Sequence, residues 1–418
     1  MFARLIVQGW RKRRRWLTMH HHFPAPGAFM PQPFEHRLFA GTGRRLSRLL
    51  LGLAVLGLAA CAAGGDRRPA AAPEPTPLPA GNLSIPGEAT GTLGGAAYRF
   101  EVPADWNGEL VLYLHGYEPS GTPRSFPLLQ DDFDRWLLAK GFAVARSAYR
   151  TQGWAVAEAM EDNERLRQHV LRQLPGVKHT WLIGQSMGGH LVLATLERHG
   201  EAYAGGLSLC GVNAPAEETM RDGVLAPLVV AEALLPGLFG EFSGGLADPA
   251  APPALDEALI ERALLRNREL AEQIGQAFGI RREDLAGALL LRYIVLSELI
   301  PRSGGFPLDN RDVRYAERID VPDIDSRVRR YAANPVAAAY LRQNFELQGK
   351  PDAPVVIQSN VYDPIVPEPF ASRYVELAAS AGRSERVHVQ PPDGEGHCAF
   401  DILAVDRAFQ TLRDWARP

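Results

Sequence analysis

Several features that define other protein classes are scarce or missing in this sequence. Of its 418 residues only three are cysteines, and no spacing of cysteine and histidine is typical of a metal site. The chain shows no internal repeat, and no G-x-G-x-x-G motif follows the first predicted strand, so the usual signature of a dinucleotide-binding domain is absent. We therefore expect neither a metal nor an organic cofactor.

The charge distribution gives no support for a nucleic-acid partner. The formal net charge is −3, but residues 1–60 contain ten Lys or Arg residues and a single acid, Glu35. This segment therefore sums to +9, and the other 358 residues sum to −12. A mildly acidic body argues against binding to nucleic acid.

The N-terminal segment has the pattern of an export signal. Three arginines within residues 44–48 precede the apolar run Leu49–Ala60, whose twelve residues are too few to cross a bilayer of about 30 Å as a helix. Such a run is typical of a signal peptide, and we assign residues 1–60 to one. The long stretch before it indicates either a wrongly assigned start codon, with Met30 as the true start, or a functional basic arm.

The apolar run ends in "LAAC" (58–61), which resembles the lipobox of bacterial lipoproteins. The resemblance implies that Cys61 becomes the lipidated first residue of an exported protein, which is then anchored in a membrane through this lipid. Ala62 replaces the aspartate that retains such proteins in the inner membrane, which favours the outer membrane or the periplasm of a Gram-negative cell. An ordinary cleaved signal peptide and an N-terminal anchor are the alternatives.

Residues 61–92 have the composition of a tether. They are rich in Ala, Pro and Gly, and such a segment cannot bury a hydrophobic core. A lipid-anchored domain needs a spacer of this kind to stand away from the membrane. We expect globular structure to begin at about residue 93.

The rest of the chain alternates between strand-like and helix-like segments. Short apolar strand patterns separated by helical patterns of roughly 10–20 residues fill residues 93–212 and return in residues 351–418. This alternation predicts an α/β domain with a mostly parallel sheet that is covered by helices on both faces. Residues 213–350 are helix-like throughout, which predicts a helical insertion within the α/β domain.

The strongest functional signal is the stretch "LIGQSMGGHL" (182–191). It places Gly184, Ser186 and Gly188 in the G-x-S-x-G pattern between a predicted strand and a predicted helix, which is the signature of a nucleophile elbow. The turn is crowded, so small residues must flank the serine. Its hydroxyl then lies at a helix N-terminus, where the dipole favours a developing oxyanion. We predict Ser186 as the nucleophile.

A serine hydroxyl needs a base, and the base needs an acid that orients it. Asp363 follows a predicted strand in a turn made by Pro364, and His397 lies in a Gly-rich loop between the last predicted strand and the final helix. Both lie at C-terminal ends of strands, where the ligand crevice of such a sheet opens. We predict Asp363 as the acid and His397 as the base, in preference to His190 and Asp393.

An acyl-transfer site also needs two donors for the oxyanion. One is the backbone N–H of Met187, directly after the nucleophile. The other should come from the loop after an earlier strand, where "YLHGYEP" (113–119) offers Gly116 for close approach of the backbone. We predict the N–H of Tyr117 as the second donor, and we expect His115 to bond the backbone of this loop.

These motifs stand in the order found in one large superfamily. "HGY", "GQSMGG", "YDPIVP" and "GEGHCAF" resemble the motifs of the α/β-hydrolases, over residues of about 93–212 and 352–416. The resemblance implies an eight-stranded, mostly parallel sheet and an acyl-enzyme on Ser186 that is hydrolysed by water activated at His397. It also implies that the insertion at 213–350 is a helical cap. The segment from Ser147 resembles, more loosely, bacterial esterases of the feruloyl-esterase and prolyl-oligopeptidase-like branches.

The two cysteines beyond Cys61 leave a question open. Cys398 adjoins the predicted base, and Cys210 ends a predicted strand. Some tannases and feruloyl esterases also carry a cysteine after the histidine, but its partner directly precedes the serine, where this chain has Gln185. A Cys210–Cys398 bridge and two buried free thiols are both compatible with the sequence.

We predict a secreted or lipid-anchored serine hydrolase that acts on a small-molecule carboxylic ester. Two alternatives remain. One is a serine peptidase of the prolyl-oligopeptidase type, which is weakened because too few residues precede the domain to form a propeller. The other is a catalytically inactive binding lipoprotein with the same scaffold.

Overall fold

The computed structural model describes residues 85–124 and 131–416. The strands are β1 (Gly87–Leu93), β2 (Ala96–Val102), β3 (Glu109–Leu114), β4 (Ala143–Ser147), β5 (His179–Gln185), β6 (Gly205–Leu209), β7 (Val355–Gln358) and β8 (Val387–Val389). The longer helices are α1 (Asp132–Ala139), α2 (Val156–Gln173), α3 (Met187–His199), α4 (Ala226–Leu234), α5 (Glu257–Arg266), α6 (Arg268–Phe278), α7 (Leu285–Ser303), α8 (Pro335–Phe345), α9 (Glu368–Ser380) and α10 (Ile402–Ala416).

The eight described strands form a single sheet in the order β1-β2-β4-β3-β5-β6-β7-β8. Strand β2 pairs antiparallel with both β1 and β4, and the other neighbouring strands pair in parallel. Seven strands therefore run in one direction and β2 runs in the other. The sheet is thus mixed but mostly parallel and has eight strands, as the resemblance to the α/β-hydrolases implied.

The central strands are buried on both faces of the sheet, as their continuous apolar runs predict. Side chains alternate between the faces along each strand, so Leu110, Leu112 and Leu114 lie in one core cluster while Val111 lies in the other. Helices α1 and α10 cover the face of Val111. Helices α2, α3 and the insertion cover the opposite face. The insertion is thus part of the main hydrophobic core.

Strand β1 corrects the predicted end of the tether. Composition predicts a tether that extends to residue 92, but Gly87–Leu93 pairs with β2 along its whole length. The segment is polar, rich in glycine and mostly exposed, so its own composition gives little strand signal. Its backbone hydrogen bonds to β2 determine its conformation instead. The predicted signal peptide, Cys61 and tether residues 61–84 lie outside the described residues.

Residues 210–354, all of which the structure describes, contain helices and turns but no strand. They leave the sheet after β6 and return at β7, as the predicted insertion does. Within the described part of the chain, no helix combines the length and the apolar character that crossing a bilayer requires. The longest helix, α7 with 19 residues, buries most of its apolar side chains in the main core.

Helix α3 packs closely on β6 because the strand has a glycine, Gly206, where it faces the helix. A Cβ atom added at Gly206 would lie 2.5 Å from Cγ1 of Val192 and 2.9 Å from Cδ1 of Leu196. Both of these side chains belong to α3 and are fully buried. The missing side chain in β6 therefore fixes the position of the helix that begins directly after Ser186.

We expect the substitution Gly206→Ala to destabilise the protein by roughly 1–3 kcal/mol, because the new methyl group overpacks the interface between β6 and α3. Urea unfolding followed by circular dichroism measures the change. Gly287→Ala in α7 is the matched control, since its Cβ would meet only the flexible carboxylate of Glu257 at 3.3 Å. This control should gain about 0.5–1 kcal/mol from helix propensity. Equal midpoints for wild type and Gly206→Ala would show that the glycine is not needed for packing.

Candidate active site

Ser186 occupies a strained turn between β5 and α3. Its backbone angles are φ 57° and ψ −121°, a conformation that costs a non-glycine residue of order 1–3 kcal/mol. Flanking glycines are required sterically: a Cβ at Gly184 would lie 2.1 Å from the carbonyl oxygen of Gly188, and a Cβ at Gly188 would lie 2.0 Å from that of Leu114. The turn holds Ser186 at the N-terminal end of α3.

His397 lies between the predicted nucleophile and the predicted acid. Its Nδ1 is 2.7 Å from Oδ2 of Asp363, and its Nε2 is 2.8 Å from Oγ of Ser186. Because a carboxylate only accepts hydrogen bonds, Nδ1–H donates to Asp363, and Nε2 of the neutral ring then accepts from the serine hydroxyl. The structure brings together all three residues that the sequence analysis selected, from positions as far as 211 residues apart.

The carboxylate of Asp363 is held on both of its oxygens. Asp363 is only 6% exposed. While Oδ2 accepts from His397, Oδ1 accepts from the backbone N–H groups of Ile365 at 2.8 Å and Val366 at 3.0 Å. The turn after Pro364 supplies these two donors. A buried charge is stabilised by such bonds, and they also fix the direction of the carboxylate.

The loop after β3 lies directly against the serine. A Cβ at Gly116 would lie 3.3 Å from Cβ of Ser186, so the backbone of this loop approaches the nucleophile as closely as the sequence analysis required. Met187 begins α3 and is buried. The N–H groups of Tyr117 and Met187 remain the predicted oxyanion donors.

His115 holds the backbone of the loop after β3 through a hydrogen bond and a ring contact. Its Nδ1–H donates to the carbonyl of Gly116 at 2.7 Å, and its ring stacks on Tyr149 with centroids 3.9 Å apart. The hydroxyl of Tyr149 in turn donates to the carbonyl of His115 at 3.1 Å. The prediction that His115 bonds the loop backbone is confirmed.

The structure decides between a Cys210–Cys398 bridge and two free thiols. Cys210 and Cys398 form a disulfide with Cα atoms 5.3 Å apart. Cys210 directly follows β6, and Cys398 directly follows the predicted base. The N–H of Cys398 also donates to Oδ1 of Asn360 at 3.1 Å. The histidine loop is thus joined covalently to the sheet beside the nucleophile strand.

Two charged residues of the insertion contact the loops of the site, and the sequence analysis missed both. Arg292 donates to the backbone after Asp363, and Glu298 accepts from the hydroxyl of Tyr117. Burial and the neighbouring Glu298 carboxylate raise the pKa of Tyr117, so its hydroxyl stays protonated. A sequence signal was present, because both charges lie within a mostly apolar helical run, "LLLRYIVLSELI" (289–300).

The side chains of the rejected candidates His190 and Asp393 form their hydrogen bonds away from Ser186. His190 is buried on α3, and its Nδ1–H donates to the carbonyl of Val212 at 2.8 Å. Asp393 accepts from the N–H of Asp401 at 3.0 Å. Among the described residues, no group of three or more His, Cys, Asp or Glu side chains is arranged to hold a metal ion.

Comparison with known proteins gives similarity in structure only. No protein-family model matches the chain, and no curated protein matches it significantly. Similar solved structures include an esterase/lipase from an uncultured bacterium, with 16% identity, a TM-score of 0.40, and coverage of 83% of this chain and 94% of that one. Candida antarctica lipase A in its closed state has 18% identity, a TM-score of 0.41, and coverage of 77% and 74%.

An acylaminoacyl peptidase from Pyrococcus horikoshii is also similar, with 9% identity and a TM-score of 0.41. The match covers 77% of this chain but 39% of the peptidase, so this chain spans well under half of that protein's length.

Two buried histidines predict a loss of stability in acid. Burial lowers the pKa of His115 and of His190 to about 4, below the ordinary value of 6.5. Between these two values the unfolded chain binds protons that the folded protein does not, so stability present above pH 6.5 is lost as pH falls toward 4. Each histidine should account for roughly 2–3 kcal/mol of this loss.

We expect urea unfolding at pH 7 and pH 4.5 to show this loss, and we expect His190→Gln to lose less stability over that interval than wild type. His388→Gln, at an exposed position on β8, is the matched control and should keep the wild-type dependence. An unchanged pH dependence in His190→Gln would contradict the assignment.

Proposed function

We propose that this chain is a serine hydrolase that cleaves carboxylic esters through an acyl-enzyme intermediate. The observation that carries the proposal is the position of His397, which is hydrogen-bonded to Ser186 on one ring nitrogen and to the buried Asp363 on the other. This arrangement provides a nucleophile, a general base and a group that orients the base. A scaffold that only binds ligands has no need for it.

In the first half-reaction, Oγ of Ser186 attacks the ester carbonyl while Nε2 of His397 takes the hydroxyl proton. The carbonyl electrons move onto the oxygen, and the N–H groups of Met187 and Tyr117 would stabilise this oxyanion. When the intermediate collapses, the C–O bond to the alcohol breaks and His397 returns its proton to the departing alkoxide. The acyl group is then bound to Ser186.

In the second half-reaction, water takes the place of the alcohol. His397 removes a proton from the water as it attacks the acyl carbonyl, and the same donors hold the second oxyanion. Collapse releases the carboxylic acid and returns the proton from His397 to Oγ of Ser186. Asp363 keeps its negative charge throughout and stabilises the imidazolium that forms at each step.

An ester is easier to cleave at this site than an amide, because an alcohol is a better leaving group than an amine. The same residues would serve a peptidase of the prolyl-oligopeptidase type, and this is the second candidate within the enzyme class. The looser resemblance of the segment from Ser147 to feruloyl esterases makes an aromatic ester one substrate to test.

We further propose that the enzyme is exported and attached to a membrane through a lipid on Cys61. The signal-like run and the "LAAC" sequence support this proposal. The Cys210–Cys398 disulfide supports export independently, since such bonds persist in oxidising compartments.

The function is tested with a panel of p-nitrophenyl esters from acetate to palmitate, methyl ferulate and an aminoacyl p-nitroanilide. We expect Ser186→Ala to lose nearly all ester hydrolysis and all labelling by a fluorophosphonate while staying folded, because the proposed acyl intermediate forms on the Ser186 hydroxyl. Asp363→Asn should lose roughly 10³-fold or more in kcat. Ser372→Ala on α9, a serine bonded only to the backbone carbonyl of Glu368, is the control and should match wild type.

The same panel separates the rival functions. Cleavage of the anilide without cleavage of any ester would assign a peptidase. A wild-type protein that neither turns over a substrate nor reacts with the fluorophosphonate would be a binding protein, and the proposal would be withdrawn.

The membrane anchor has its own test. Cells producing the wild-type protein should contain it in the membrane fraction, labelled by a radioactive or clickable fatty acid. Cys61→Ser should be unlabelled and soluble, because the acceptor thiol is gone, whereas Cys210→Ser should still be labelled. Equal labelling of wild type and Cys61→Ser would refute lipidation at this site.

A further inference from the structure

We propose that helix α7 of the insertion positions two active-site loops: the acid loop (362–366) through Arg292 and the oxyanion loop (116–120) through Glu298. Both are positioning residues, which act on the reaction through the groups they hold. The proposal rests on the function proposed above, since it assigns these residues to the same reaction. It gives the insertion a role in the chemistry beyond its part in the main core.

Arg292 is a buried cation that joins three segments. It is 4% exposed. Its Nη2–H donates to the carbonyl of Ile365 at 3.2 Å, and both terminal nitrogens lie 3.4 Å from the carbonyl oxygen of Pro364. Its remaining bonds go to the carbonyls of Gly223 at 2.8 Å and of Ala288, one turn earlier on α7, at 2.9 Å. The guanidinium therefore fixes the acid loop to the insertion.

The bonds of Arg292 and those of Asp363 are made by opposite sides of the same peptide groups. The carbonyl of Pro364 and the N–H of Ile365 belong to one peptide group, and the carbonyl of Ile365 and the N–H of Val366 belong to the next. Arg292 binds the two carbonyls, while Oδ1 of Asp363 binds the two N–H groups. Each peptide is polarised from both ends, which strengthens its bond to the carboxylate.

The charges of Arg292 and Asp363 are also complementary. A buried guanidinium is costly unless other groups compensate it. Burial lowers the pKa of Arg292 to about 10, and the negative charge of Asp363 opposes that shift, so Arg292 remains a cation at neutral pH. The cation and the anion lie on opposite sides of two aligned peptide dipoles, and each stabilises the other through them.

Glu298 holds the oxyanion loop in a comparable way. Its Oε2 accepts from the hydroxyl of Tyr117, and its Oε1 accepts from the backbone N–H of Ser120 at 2.6 Å. One carboxylate thus binds both the residue whose N–H is a predicted oxyanion donor and the backbone three residues later. Glu298 lies six residues after Arg292, about 9 Å further along the helix axis.

Neighbouring contacts strengthen the connection between the insertion and the site. The hydroxyl of Tyr362 donates to Oδ2 of Asp284 at 2.6 Å, and Arg281 forms an ion pair with Glu395 at 2.9 Å. Tyr362 directly precedes Asp363, and Glu395 lies two residues before His397. The segment around the start of α7 therefore contacts the acid loop and the histidine loop.

The Arg292 part is tested with Arg292→Gln, Arg292→Lys and the control Arg330→Gln. We expect Arg292→Gln to lower kcat by about 10–100-fold with KM changed less than threefold, because a small displacement of the acid misorients the base after substrate has bound. Arg292→Lys keeps the charge and should recover part of kcat. Arg330 also bonds backbone carbonyls, those of Asn310 and Val313, but entirely within the insertion, so Arg330→Gln should leave kcat unchanged.

A spectroscopic measurement keeps this test independent of turnover. The Nδ1 proton between His397 and Asp363 should give a downfield proton NMR signal in the resting protein. Arg292→Gln should shift or broaden this signal, and Arg330→Gln should leave it in place. If Arg292→Gln stays folded with a wild-type signal and wild-type kcat per fluorophosphonate-reactive site, Arg292 is only structural and the proposal is wrong.

The Glu298 part should produce a different pattern. Glu298→Ala should lower kcat by about 10–100-fold, because the oxyanion loop loses its anchor, while the Nδ1 proton signal stays at its wild-type position. Glu298→Gln, which keeps one acceptor oxygen, should lose less. Unchanged kcat in Glu298→Ala would remove this residue from the proposal.

Failure of the proposed function would look different from failure of this inference. A wild-type protein without serine-dependent chemistry would still show whether Arg292→Gln disturbs the proton between His397 and Asp363. If the wild-type enzyme is active and both substitutions leave kcat and the proton signal unchanged, the function stands and the positioning roles are withdrawn.

Discussion

The hydrogen bond between His397 and Asp363 is the interaction on which the rest of the site depends. It determines which ring nitrogen faces Ser186, and so whether the serine hydroxyl meets an acceptor or a second donor. The two side chains come from separate loops, one after β7 and one after β8, and the serine follows β5. A parallel sheet brings these strand ends to one edge, but it does not by itself hold the loops in register.

Each of these loops has its own restraint. Ser186 is held by backbone crowding that only glycine neighbours permit, Asp363 by two peptide N–H groups, and the loop of His397 by a disulfide to the end of β6. The oxyanion loop is bonded to Glu298. The sheet therefore supplies proximity, and contacts from outside the strands supply the orientation that the proposed acyl transfer needs.

The proximity of Ser186, Asp363 and His397 could be predicted from sequence because their positions follow from strand ends. Ser186, Asp363 and His397 each follow a strand-like run, and a parallel sheet places such positions together whatever the details of packing. Strand β1 was missed because its polar, glycine-rich segment becomes a strand only through pairing with β2, which composition does not show. Whether Cys210 and Cys398 pair could not be decided, since the distance between them depends on the finished fold.

Arg292 and Glu298 were missed for a different reason. On sequence alone, a charge in an amphipathic helix is usually a solvated one, and only the fold shows that these two face the loops of the site. The interruption of the apolar run 289–300 by two charges was visible, but the groups that they bind lie up to 181 residues away in the chain. Long-range pairs of this kind carry no local signature.

The position of the disulfide has a consequence for how the protein would survive proteolysis. Cys210 precedes the insertion and Cys398 follows it, so the bond closes a covalent ring that contains every residue of the insertion. A single cut by a protease anywhere in that ring would break the chain without separating the nucleophile from the base. Ser186 and His397 would remain parts of one covalently connected molecule, joined across the sheet by two sulfur atoms.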